Sequence, residues 1–104
     1  MTLDIEATFK DMARAASGVL AGESRRVRRA IEEVLEDQKE ALRAIAEARL
    51  AGDIDDDEVA HQIRSERLAF RSGLAMVRAV TKASVQKAAN AAFAVFIKAL
   101  KAAL

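Results

Sequence analysis

Few residues in this chain could do chemistry, and the lone histidine comes first. His61 closes the tetrapeptide Glu58-Val59-Ala60-His61. An E-x-x-H on a helix sets a carboxylate and an imidazole on one face, the arrangement that carboxylate-bridged di-iron bundles use. Glu47 would fall at a similar level if the chain doubled back near residue 53. The pattern is short and occurs once, away from the apolar seam, and Glu58 has a capping task of its own. The expectation is therefore no metal and no cofactor, with Glu47, Glu58 and His61 as the weakest candidates.

The run Asp53-Ile54-Asp55-Asp56-Asp57 invites comparison with a calcium loop. Such a loop starting at Asp53 needs glycine at its sixth position and glutamate at its twelfth. Glu58 and Arg64 stand there instead. Nucleophilic catalysis has little to draw on, since there is no cysteine, one histidine and no glycine-rich phosphate loop. No catalytic residue is expected, and the chain reads as a non-enzyme.

Arginine offers more. Arg25, Arg26, Arg28 and Arg29 form a cluster, and Arg64, Arg67, Arg71, Arg78 and Lys82 form a stripe. At 100° per residue that stripe is about 60° wide. Guanidinium groups at this density suit phosphate. Opposing this, Arg28 and Arg29 each have a glutamate four residues on, Glu32 and Glu33, and the net charge is only +1. No aromatic side chain interleaves with the arginines, so bases have nothing to stack on. A polyanion site would comprise Arg25, Arg26, Arg28, Arg29, Arg78 and Lys82 and would read backbone rather than sequence.

The elements that position these residues follow from composition. Of 104 residues 24 are alanine, with no proline, no cysteine and only four glycines, so turn chemistry for a sheet is missing. An all-α fold is expected. No apolar run is long enough to span a membrane. Met1 to Lys10 carries Asp4 and Glu6 and does not resemble a signal peptide, so a cytoplasmic location is expected.

The clearest punctuation lies at mid-chain. Gly52 suits the left-handed position past a helix end. Asp55 is an N-cap, Glu58 occupies the capping-box position, and Ile54 and Val59 form a hydrophobic staple. The prediction is a single domain over 1–104: helix over about 3–50, turn over 51–55, helix over about 56–103. Ser17 to Ser24, with Gly18 and Gly22, is a weak point where a kink or break is weighed. A continuous or kinked helix is preferred. In such a long antiparallel hairpin, Arg67 and Arg71 lie level with Glu36, Asp37 and Glu40, and Arg78 and Lys82 level with Arg25 to Arg29.

The first seam runs Ile5, Phe9, Met12, Ala16, Leu20, Val27, Ile31, Val34, Leu42, Ile45, interrupted by Glu23 and Gln38. The second runs from Val59, Ile63, Phe70 and Leu74 into small residues, Ala88 and Ala92 among them. Phe93, Phe96, Ile97, Leu100 and Leu104 form a separate face near the C-terminal end. A two-helix hairpin has no interior for that face, and exposed apolar patches mark contact surfaces.

These residues are accordingly assigned to an interface, and two hairpins to a dimeric four-helix bundle. The expected function is an adaptor, assembly or structural role through protein contacts, as a homodimer or higher homo-oligomer. A different protein partner at the C-terminal face is the main variation. Polyanion or nucleic-acid binding is the alternative, and interfacial membrane association through the C-terminal amphipathic helix is ranked below it.

Overall fold

The computed structural model describes residues 3–20, 25–77 and 80–104. These residues form four helices and no strand: α1 (Ile5–Val19), α2 (Arg25–Leu50), α3 (Asp56–Ala75) and α4 (Lys82–Ala103). The all-α expectation holds. The two-helix hairpin does not. An unbroken helix over 3–50 would be about 70 Å long, whereas the longest dimension of the molecule is 41 Å.

Local chemistry explains each end. Asp4 caps α1, its Oδ1 accepting the Ala7 N–H at 3.1 Å. The helix stops at Leu20, whose N–H reaches the carbonyls of Ala16 and Ser17. Gly22 and Ser24, half of the weak point read from the sequence, lie outside the described residues. A turn separates Leu50 from Asp56, with Asp55 as N-cap, while the Glu58 half of the expected capping box does not close on the Asp55 N–H among the described residues. Gly52 has φ +81°, Asp55 Oδ1 accepts the Glu58 N–H at 2.9 Å, and Val59 is buried with Ile54 packed against the core. The Glu58 carboxylate accepts from Gln62 Nε2 at 3.0 Å. Arg49 and Asp56 pair across the turn at 2.9 Å.

The second expected helix divides between Ala75 and Lys82. No glycine or proline stands between these two residues. Val77, Val80 and Thr81 are β-branched and weak helix formers. Thr81 becomes an N-cap, its Oγ1 accepting the Ser84 N–H at 3.1 Å. A helix start inside an alanine-rich stretch is thus carried by one hydroxyl and by the packing that follows.

Each helix lies against its neighbours in sequence, and α1 also packs extensively on α4, closing a four-membered ring. The helices alternate in direction. Glu6 on α1 pairs with Lys39 and, at 3.5 Å, with Arg43 on α2. Gln38 on α2 bonds Glu66 on α3, and Phe70 on α3 meets Phe93 on α4 edge-to-face at 5.9 Å. The hydrogen bond to Glu6 holds the Lys39 ammonium above the ordinary lysine range. Glu36 adds attraction, while partial burial and Arg43 oppose it. A raised lysine favours the folded state at all pH values below its unfolded pKa. That contribution is lost as the pH rises through the folded one.

The main correction concerns the C-terminal face. Phe93 and Phe96 are fully buried, Leu100 is 3% exposed, and Ile97 is packed against the core. Leu104 alone remains exposed. Phe93, Phe96 and Leu100 are interior to one chain, so the reasoning that assigned them to an interface fails. The small-residue seam and the aromatic face are halves of one arc. Ala88, Ala92, Val85, Phe96, Ala89, Leu100 and Phe93 are all buried and span about 140° at 100° per residue. A helix touching two neighbours, α1 and α3, needs an arc that wide.

Two features of the packing carry predictions. A Cβ on Gly73 would stand 2.8 Å from Val34 Cγ2, whereas one on Gly18 would meet nothing within 4 Å. Thermal melts should therefore show Gly18→Ala raising stability by about 0.5 kcal/mol and Gly73→Ala lowering it by about 1 kcal/mol. In a Val34→Ala background the sign of the Gly73 effect should reverse.

Gln38 is 7% exposed and donates to the Glu66 carbonyl at 2.6 Å, but its Oε1 has no partner. An orphaned buried acceptor costs more than its amide bond returns. Gln38→Leu should raise the urea midpoint by the equivalent of about 1 kcal/mol.

Candidate functional site

The ring of alternating helices sets the arginine cluster and the acidic turn at opposite ends. At one end lie the starts of α2 and α4 and the finishes of α1 and α3. At the other lies the 51–55 turn with Asp53, Asp55, Asp56, Asp57 and Glu58, all exposed.

Arg25, Arg26, Arg28 and Arg29 stand in the first five residues of α2, and all four are exposed. None has an acidic oxygen within 4.0 Å among the described residues. Glu32 and Glu33, four residues on from Arg28 and Arg29, do not approach them to that distance. Arg25, Arg28, Arg29 and Glu32 line a notch of about 190 Å³. Lys82 opens α4 at the same end of the bundle, also exposed and unpaired among the described residues. Of the proposed polyanion set, Arg78 lies outside the described residues.

The first turns of α2 and α4 contain no acidic residue, while α1 carries Glu6 there and α3 carries Asp56, Asp57 and Glu58. Carboxylates at the start of a helix are stabilising and cations are not. The chain follows that rule at one end and departs from it at the other.

Arg67 and Arg71 sit at the expected level, since Gln38 meets Glu66 and Val34 meets Gly73. Neither forms an ion pair with Glu36, Asp37 or Glu40 among the described residues. Glu47, Glu58 and His61 are all exposed, and no cluster of three or more histidine, aspartate or glutamate side chains placed to hold a metal exists among the described residues.

Two larger grooves were not anticipated. One, of about 570 Å³, runs between α1 and α2 over Phe9, Ala13 and Leu35, with both signs of charge on its rim. The other lies between α3 and α4 near Leu68. Leu68 was the available signal: it is a large apolar residue about 160° from Phe70 around α3, so it cannot belong to the same seam. No helix among the described residues is long and apolar enough to cross a membrane. Comparison with known proteins gives no match, neither to a family model nor to a curated protein nor to a solved structure.

Proposed function

We propose that this chain is a non-enzymatic binding module that holds a polyanion, a nucleic-acid backbone in the first instance, at its arginine-bearing end. One observation carries the reading: Arg25, Arg26, Arg28 and Arg29 are crowded at a helix start, exposed, and free of acidic partners among the described residues. Crowded cations beside the positive end of a helix dipole repel one another and the dipole. A phosphate chain relieves both.

Self-association through the C-terminal face loses the observation that motivated it, because Phe93, Phe96 and Leu100 are interior to one chain. Interfacial membrane binding by the same helix face would require the bundle to open.

Fluorescence anisotropy with a labelled duplex of about 20 base pairs, as DNA and as RNA, tests the reading over a salt series. Binding is expected at low salt, with the logarithm of the affinity falling linearly with the logarithm of salt. No binding at low salt, or binding indifferent to salt, overturns it.

A further inference from the structure

The α3–α4 groove differs in kind from the arginine cluster. It measures about 380 Å³ and is lined by Leu68, Arg71, Ser72 and Ala75 of α3, by Val80, and by Lys82 and Val85 of α4. Its walls supply apolar surface from Leu68, Ala75, Val80 and Val85. Arg71 and Lys82 supply positive charge, and no acidic residue lines it. Neither cation has an ion-pair partner among the described residues.

Only four large apolar side chains are well exposed among the described residues. Leu68, at 53%, lines this groove, and Met76, at 84%, directly follows its Ala75 wall. The α3 wall repeats at 68, 71, 72 and 75, one helical turn at a time. That spacing receives side chains presented at the same period by a guest helix.

We propose that this groove docks an amphipathic helix of a partner protein, with apolar residues one turn apart and aspartate or glutamate beside them. Charge complementarity selects the occupant: acidic flanks meet Arg71 and Lys82, and the apolar stripe meets Leu68, Ala75 and Val80, with the buried Val85 beneath them. Arg71 and Lys82 would also attract phosphate, but a phosphate there would leave Leu68, Ala75 and Val80 uncovered, whereas an apolar stripe with acidic flanks satisfies both parts of the lining. A flat lipid surface would leave a concave trough unfilled. Arg25–Arg29 do not line the groove, and Lys82 is the one residue common to both readings, so Leu68 and Arg71 are the positions that report on the groove alone.

The test is a heteronuclear NMR titration of the isotopically labelled full chain with a synthetic helix of about 18 residues. The peptide carries leucine on one face and glutamate beside it. A lysine-flanked version, a proline-interrupted version and phosphatidylserine–phosphatidylcholine vesicles form the other arms. The expected result is amide shifts concentrated at Leu68, Arg71, Ser72, Ala75 and Lys82 with the glutamate peptide alone. Leu68→Ser and Arg71→Glu, judged intact by circular dichroism, should each weaken binding by roughly tenfold. No shifts, shifts centred elsewhere, equal binding of the lysine-flanked peptide, or Leu68-dependent binding of vesicles overturns the proposal. Leu68 is exposed, so its replacement leaves the core untouched.

Discussion

Phe93→Ala is expected to cost about 3–5 kcal/mol of folding stability, as large aromatic-to-alanine changes in a core do. Phe93 is fully buried and meets Phe70 edge-to-face, so truncation loses transfer energy, leaves a cavity and strips Phe70 of its partner. A domain of this size has a total stability of about 5–15 kcal/mol. The single change therefore removes a large share of it. Phe96→Asp adds an unpaired carboxylate at a position with no solvent exposure, and should leave no folded protein.

Urea unfolding followed by circular dichroism reads the first variant, and light scattering behind a sizing column reads the parent at a mass near 11.3 kDa. These outcomes separate a core from an interface. An interface residue would give a Phe93→Ala protein that melts within about 1 kcal/mol of the parent while the parent's mass is double. That result would return the aromatic face to a surface role.

The contrast between the 51–55 turn and the 76–81 connection shows what was legible in the residues alone. At the turn every signal is local. Gly52 takes the left-handed conformation that a helix end needs, and Asp55, Ile54 and Val59 act within a few residues of one another. At the other connection local chemistry offers only three β-branched residues, one of them the Thr81 cap, set in a stretch that suits a helix. The fold-back there is worth making because it brings the arc from Ala88 to Phe93 against α1 and α3. That gain is tertiary and cannot be seen in any window along α4.

The same fact explains the misplaced interface. A face without a home in two helices has one in four, and the apolar pattern alone does not count the helices. The arginine cluster fared differently. Exposure of Arg25, Arg26, Arg28 and Arg29 was implied by their spacing off the apolar seam, and it needed no knowledge of the partner helices. What could not be seen was the absence of ion pairs to Glu32 and Glu33 among the described residues, because rotamers decide it.

Replacing Arg25, Arg26, Arg28 and Arg29 together by glutamine should weaken duplex binding by roughly a hundredfold or more at low salt. It should also flatten the slope of log affinity against log salt by about 4, close to one for each phosphate left without its cation. The stability effect should run the other way. Arg25 and Arg26 occupy the first turn of α2, where no acid is present. Substituting glutamate at either position should raise stability by about 0.3–1 kcal/mol through the helix dipole, while binding falls further than with glutamine.

A surface cation retained for structure would lose stability when reversed, and one retained only for solubility would change neither quantity. Binding that falls while stability rises is the signature of a site held against the local rules of its helix. Arg14, which pairs with Asp11 within α1, supplies the comparison. Its reversal should alter the salt slope by well under the change that one phosphate-bound arginine produces. Should Arg25→Glu instead destabilise the fold and leave affinity unchanged, the cluster would be a structural feature of α2 and the polyanion reading would fall.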